Sequence, residues 1–410
     1  MNARRADLAY FAALGLGAIA LLLFGVVQLR LDKLGTDDFA MIWAGPRAIL
    51  TGVDLYDASS WRENAARLGT FAYDSDVYPY PPWVALALTP FALLPPRIAG
   101  LVWTGIGVIV AAIAVRALLR AYLPGLSWAH GIIGVLFAAS GPSVATLLLG
   151  QWTYFLLTAV CGVVLLLRRK RPVSAGAMTA VMLAKPPLFV FTAAALGVRA
   201  LWPGSANAYL GRRFAISAAG TAAAIVLLSW ILVPTWWPAW YVHSASVLVG
   251  IQPVSLPTLF TTIFGAGGAW LAALVLLGST LAALQFHPRS DGWLPVWFAL
   301  SSVGVIYSNT YDLLLLIVPI VLAAGALQPR SPLRAALVVI VDACLLFVVM
   351  WYLHTTNVRG YAEGVTLLIF GTITFALWDQ RRDLGEEGLG AEVTTARASG
   401  VRGLSARRTS

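Results

Sequence analysis

The sequence predicts an all-α polytopic membrane protein, and three observations carry that prediction. Hydrophobic residues make up 59% of the 410 and charged residues only 11%, where a soluble domain carries about 25% charge. The apolar residues fall in long unbroken runs, unlike the short alternating segments of a transmembrane barrel. At roughly 20 residues per span plus loops, the length allows about 10 to 13 helices. A soluble enzyme, a disordered chain and a disulfide scaffold are excluded, because so few charges cannot cover a water-exposed globule. The net charge of +10 does not point to nucleic acid. The basic residues cluster briefly between apolar runs, which is how a membrane protein marks its cytoplasmic side. Cys161 and Cys344 lie inside apolar stretches and read as small buried residues.

Residues 8–28 form the first expected span, a retained anchor with no cleavage site before Arg30. Arg4 and Arg5 place the N-terminus inside. Residues 29–97 are the one long polar segment and hold eight of the chain's 18 acids, so a long first extracytoplasmic loop is expected there. Within it, 81–96 is apolar but short and proline-rich, and reads as a helix lying in the interface. Further spans are expected at about 98–117, 131–147, 152–167, 173–184, 187–198, 214–233, 269–285, 293–307, 312–327, 335–353 and 362–378. With the first span these make twelve, in a single transmembrane domain over 1–382. Residues 383–410 are polar and rich in Gly, Ser and Arg, composition expected of a disordered cytoplasmic tail.

The segment 173–198 could be one kinked helix or two short ones meeting at Lys185-Pro186-Pro187. Proline disfavours continuing a helix. The flanking charges favour a hairpin, which keeps Arg168–Arg171 and Arg199, Arg212 and Arg213 on one side of the membrane. A twelve-residue helix rises about 18 Å, short of a hydrocarbon core of about 30 Å. Lys185 then sits at the tip of a half-depth hairpin, where a bare ammonium is costly and should face a water-filled cavity or an anion. Gly150-Gln151, at the tip of the preceding pair of spans, is expected beside it. Irregular backbone at membrane depth survives only where it lines a cavity or protein, so two such tips resemble a binding site.

Few residues can carry chemistry. Asp37 and Asp38 precede a stretch, 38–50, that can form a helix with Phe39, Ile42, Trp43 and Ile49 toward the membrane. The plain reading is helix N-terminal capping and dipole compensation. The functional one is a surface carboxylate able to deprotonate an acceptor hydroxyl. Gln151 and Asp312 have the same plain reading at helix starts, and Tyr80 belongs to a rigid Tyr-Pro-Tyr-Pro-Pro entry. The histidines at 130, 243, 287 and 354 share no metal-ligand spacing and read as interfacial. No metal and no cofactor is expected.

Five landmarks occur in order: DFAMIWAGPRAILTGVDLYD, YPYPPWVALALTPFALLP, LLLGQWTYFLLTAV, AGAMTAVMLAKPPLFV and YSNTYDLLLLIVP. Together they resemble the family 87 glycosyltransferases, the polyprenyl-phosphate-mannose-dependent group, over roughly residues 8–380. The resemblance implies a GT-C-type architecture, with many membrane helices and a catalytic acid on the long first outer loop. It also implies transfer of a hexose, with mannose the expected sugar, from a lipid-phosphate donor to an acceptor hydroxyl on the extracytoplasmic face. The acceptor would be a glycolipid, a glycan or a protein, and the chain would sit in the plasma (inner) membrane with both termini cytoplasmic. Carried over by position, Asp38 is the implied general base for inverting displacement, with Asp37 the fallback. Lys185 matches the Lys-Pro landmark and would meet the donor phosphate. Gln151, Tyr80, Tyr311 and Asp312 complete the implied substrate-binding set. Some mannosyltransferases of the group carry histidines in the last landmark, where this chain reads Ser308-Asn309-Thr310-Tyr311-Asp312; the acceptor is left open. The alternative class is a transporter or flippase of a lipid-linked or small polar solute, since broken helices and a midplane lysine also suit that function. Acids concentrated in one outer loop, and the lack of a visible two-half repeat, disfavour it.

Overall fold

The computed structural model describes residues 3–23, 38–68, 77–202, 208–242, 255–305, 308–349, 351 and 361–381. Among these residues all regular structure is helical. Asp37, His243, His354 and the tail 383–410 lie outside the described residues. Among the described residues, six helical stretches are long and apolar enough to cross a membrane: Arg4–Leu22, Pro96–Tyr122, Ser127–Leu149, Tyr209–Leu232, Leu256–Ala283 and Thr310–Leu327. Shorter apolar helices supplement them. The protein is therefore a multi-pass membrane protein, and six of the twelve expected spans have the length to cross alone.

The chain opens with α1 (Ala3–Leu23). A layer of short helices follows, made of α2 (Asp38–Leu50), α3 (Ala58–Arg67), α4 (Pro82–Ala87) and α5 (Thr89–Ala92). Neither α4 nor α5 is long enough to span. The membrane bundle continues with α6 (Pro96–Tyr122), α7 (Ser127–Ala139), α8 (Gly141–Leu149), α9 (Thr153–Arg168), α10 (Pro172–Met182) and α11 (Val190–Leu201). It ends with α12 (Ala208–Leu232), α13 (Leu256–Phe264), α14 (Gly268–Ala283), α15 (Trp293–Val303), α16 (Ile317–Leu327), α17 (Pro332–Cys344) and α18 (Ala362–Ala376). Proline opens α6, α10 and α17, where its missing N–H would be unpaired anyway and its fixed φ suits the first turn.

Two central helices organise the bundle. Along α9, Leu156, Leu157, Val160, Val163 and Val164 are buried, and along α16 so are Ile317, Val318, Ile320, Val321 and Leu322. A helix apolar on every side belongs in an interior. The outer helices instead expose large apolar side chains, such as Ile109 and Ile113 on α6, Leu227 and Ile231 on α12, and Trp270 and Leu274 on α14. Those faces suit hydrocarbon rather than water. The first helix docks through small residues, as a Cβ on Gly17 would lie 2.4 Å from that of Ala138. Asp7 fastens the same helix to α6 by pairing with both Arg116 and Arg120.

The chain reverses between α10 and α11. At one end of α10 the Val173 carbonyl accepts a hydrogen bond from Ser217 Oγ at 2.8 Å. At the far end of α11 a Cβ on Gly211 would lie 1.9 Å from the Ala200 carbonyl oxygen. Residues 211 and 217 lie on the same helix, α12, about 9 Å apart along its axis. A straight run from 173 to 200 would separate its ends by about 40 Å. The segment is thus a hairpin with its tip at Lys185, Pro186 and Pro187, where α10 gives way to a 3₁₀ turn at Pro186–Phe189.

Three expectations are corrected. Phe39, Ile42 and Trp43 do not face lipid: α2 is buried against the bundle, Phe39 in ring contact with Trp103 and Trp43 Nε1 donating to the Leu94 carbonyl at 3.1 Å. His130 is buried rather than interfacial, its Nε2 3.0 Å from the Leu123 carbonyl oxygen and its Nδ1 buried without a hydrogen-bond partner. Cys344 is exposed while Cys161 is buried, because the apolar outer face of α17 needs no protein cover.

The hairpin makes a testable demand on packing. Gly176→Ala and Gly211→Ala both press a methyl against backbone of a neighbouring helix. Each should cost about 1–3 kcal/mol and lower the detergent Tm. Gly220→Ala, with open space at its Cβ, should leave Tm unchanged or raised.

Candidate functional site

Four chain segments meet at one end of the bundle: the start of α2, the turn between α8 and α9, the hairpin tip at Lys185, and the start of the Thr310–Leu316 3₁₀ helix that leads into α16. Each is a place where backbone direction changes, so each carries polar residues into an otherwise apolar core.

The α8–α9 turn is the hub. Gly150 ends α8 in the left-handed conformation at φ 64, which glycine adopts without strain. Its carbonyl accepts from Trp103 Nε1 at 2.9 Å. Gln151 comes next, 4% exposed, and its Nε2 donates to Asp38 Oδ2. Asp38 is the first residue of α2 and half-buried. There its charge also compensates the helix dipole. Trp152 follows, with its ring 4.8 Å from that of Trp103 and 6.3 Å from that of Tyr80. Thr153 then starts α9.

Thr153 Oγ1 donates to Asp312 Oδ1 at 3.2 Å, and Lys185 Nζ lies 3.0 Å from the same oxygen and 3.4 Å from Oδ2. The Asn309 backbone N–H donates to Asp312 Oδ2 at 3.1 Å within a reciprocal capping box. Asp312 is therefore a helix cap and the counter-charge of Lys185 at once. The anion expected at the hairpin tip is a side chain of the protein. Lys185 Nζ also sits 4.5 Å above the Tyr311 ring, whose hydroxyl accepts from Asn309 Nδ2 at 2.7 Å. An ammonium has three donors, so this lysine can hold Asp312 and still donate to a further anion.

Gln151 and Thr153 are two residues apart, at most about 7 Å along the chain. The Asp38–Gln151 pair and the Lys185–Asp312–Thr153 cluster are thus neighbours. Six residues expected from the sequence, Asp38, Tyr80, Gln151, Lys185, Tyr311 and Asp312, are brought together. Tyr80 belongs to an aromatic wall rather than to the polar contacts: its carbonyl accepts from the Tyr56 hydroxyl at 2.5 Å, and its ring adjoins those of Tyr78 and Trp152. Burial pushes the hydroxyls of Tyr56 and Tyr78 well above the ordinary tyrosine range, so both stay protonated as part of the scaffold. Tyr78 packs against α2 at Gly45, where its ring leaves no room for a Cβ.

Sequence reasoning passed over Trp103, Trp152 and Thr153. The run Gly150-Gln151-Trp152-Thr153 was the available signal, being polar and glycine-started inside an apolar stretch. It also passed over two buried acids elsewhere: Asp342 accepts from Thr372 Oγ1 at 2.5 Å and Glu363 from Thr366 Oγ1 at 2.6 Å. Among the described residues no three His, Cys, Asp or Glu side chains gather as a metal would need.

The arrangement offers a carboxylate held by an amide, a cation held by a second carboxylate, and aromatic walls between them. The family model of glycosyltransferase family 87 matches residues 78–319, more than half of the chain. Tyr80, Gln151, Lys185, Tyr311 and Asp312 lie within that match, and Asp38 lies before it. No curated protein and no solved structure gives a significant match.

The ion pair sets an expectation. Its side chains are 13% and 3% exposed, and removing one partner of a buried pair strands the other charge at a cost of about 3–5 kcal/mol. Asp312→Asn should lower Tm markedly, and adding Lys185→Met should restore most of it. Thermal unfolding of the two variants and the wild type in one detergent reads the coupling.

Proposed function

The chain belongs to glycosyltransferase family 87 and is a membrane glycosyltransferase, and from that premise we propose that it moves a hexose, mannose being the expected sugar, from polyprenyl phosphate to an acceptor hydroxyl by inverting displacement. The observation that carries this reading is the meeting of Asp38 with the Lys185 cluster across three residues of one turn. Such a transfer needs a base on one side of the anomeric carbon and a cation on the other.

Asp38 is the general base. It takes the acceptor hydroxyl's proton as the acceptor oxygen bonds to the anomeric carbon. Gln151 orients it by donating to one carboxylate oxygen. The bond from the anomeric carbon to the phosphate oxygen breaks, and the phosphate leaves with the electron pair. Lys185 meets that growing negative charge in a site shielded from water, where a fixed cation is worth most. Asp312 and Thr153 hold the lysine in place. Because the cation is a side chain, we expect no metal requirement.

The distribution of basic residues supports an outward-facing site. The helix α9 runs 16 residues from Thr153 to Arg168, about 24 Å, and Arg169, Lys170 and Arg171 follow. Arg199 lies in the last turn of α11, and Arg330 and Arg334 lie in the turn after α16 and at the start of α17. These cations stand at the ends remote from the site. By the positive-inside rule that end is cytoplasmic, and the site faces the outside of the plasma (inner) membrane. A donor lipid lies in the same leaflet as the site, and the acceptor is a glycolipid, a glycan or a protein at that surface.

Purified protein given polyprenyl-phosphate mannose and a lipid extract should form a mannosylated product. Its anomeric configuration should be opposite to the donor's by NMR. A chelator should leave the rate unchanged. Retained configuration would replace the base with a nucleophile, and loss of activity with the chelator would bring in a metal.

A further inference from the structure

Gln151 and Trp152 share a property the transfer chemistry does not use. Both are nine-tenths or more buried, yet Gln151 Oε1 and Trp152 Nε1 have no hydrogen-bond partner. Buried polar groups are partnered in the great majority of cases, and each exception costs desolvation. These two are consecutive in sequence and opposite in kind. The amide oxygen can only accept and the indole N–H can only donate. The amide's other end is committed to Asp38, so its oxygen cannot be exchanged for a donor by a flip without losing that contact.

We propose that Gln151 Oε1 and Trp152 Nε1 form a subsite for a ring hydroxyl of the transferred hexose, and that this pair selects the sugar. The inference rests on the glycosyl-transfer reading and adds to it the group that is read. A hydroxyl both donates and accepts, so one hydroxyl, or two neighbouring ones, satisfies both orphans. Tyr80 and Trp103 flank Trp152; Trp103 is buried among other rings and holds Trp152 in place, and the half-buried Tyr80 is the aromatic face suited to the C–H face of a hexose. The pair adjoins Asp38 through Gln151 itself, so a sugar seated here has its anomeric carbon beside the base. Lys185, reached through Thr153, lies on the phosphate side. A site built to bond a hydroxyl rejects the analogue lacking it far more strongly than an apolar pocket discriminates size.

The test pairs one protein change with one ligand change. Steady-state transfer is measured with polyprenyl-phosphate mannose and with donors each lacking one ring hydroxyl, for wild type and for Trp152→Phe. The variant should lose about 10- to 100-fold in kcat/KM with the full donor, the loss expected for a stranded hydrogen bond. With one of the deoxy donors the loss should nearly vanish. Affinity for polyprenyl phosphate without sugar should be unchanged, which also reports that the variant folds. Should Trp152→Phe fail to bind polyprenyl phosphate, an isosteric benzothienylalanine at 152, which removes only the N–H, must give the same pattern. An equal loss with every deoxy donor would make Trp152 a packing residue and overturn the subsite while leaving the transfer reading intact. Wild-type protein that neither binds nor transfers the hexosyl donor would overturn both.

Discussion

The ion pair between Lys185 and Asp312 is the interaction on which the rest of the site depends. An ammonium inside an apolar bundle is not tolerated alone. Its nearest anion comes from 127 positions later in the chain, so satisfying one charge fixes two distant segments against each other. The same carboxylate accepts from Thr153 and from the Asn309 backbone. One side chain therefore ties the hairpin tip, the start of α9 and the start of the helix leading to α16. The two helices that radiate from this knot both run through the buried interior of the bundle. A buried carboxylate is tolerated in a low-dielectric core when its oxygens are partnered, and here Asp312 accepts from Lys185, Thr153 and the Asn309 N–H.

The layer of short helices depends on that knot at one remove. Gln151 is positioned because Gly150 and Thr153 on either side of it are fixed, and Gln151 in turn holds Asp38. Helix α2 is buried along most of its length by Trp103, Tyr78 and the short helices α4 and α5. The Trp240 indole donates to the Pro79 carbonyl, joining a later segment to the Tyr-Pro-Tyr-Pro-Pro entry. Asp38, the proposed base, is thus set on a helix rather than on a free loop, as a base aimed at one proton requires.

Much of this was legible in the sequence, and what was not has physical reasons. Composition gave the membrane class, and the charges flanking 173–198 gave the hairpin, because orientation in a bilayer is written in basic residues. The proline pair at 186 and 187 marked its tip. The partner of Lys185 was not legible, since a contact between positions 185 and 312 leaves no local pattern. Asp312 looked like a helix cap, and it is one; the second role appears only when the fold brings the cation to it. The inward burial of Phe39, Ile42 and Trp43 was misjudged because hydropathy does not tell a lipid-facing residue from a protein-facing one. Cys344 was misjudged for the converse reason, as apolar surroundings in sequence include lipid. Trp152 was missed because one tryptophan among 16 reads as an interfacial anchor until its indole is found buried and unpartnered.

Asp38 lies outside the stretch matched by the family, and its proposed role rests on the resemblance of its landmark and on its contact with Gln151, so it is the position to test. Donor binding and sugar transfer should be measured side by side on wild type and Asp38→Asn, with radiolabelled polyprenyl-phosphate mannose. Asparagine keeps the shape and can still meet the Gln151 side chain, but it cannot take a proton. The account predicts donor affinity near the wild-type value and transfer reduced at least about 100-fold, within the range that a lost general base costs. Transfer at the wild-type rate in Asp38→Asn would contradict it and remove Asp38 from the chemistry.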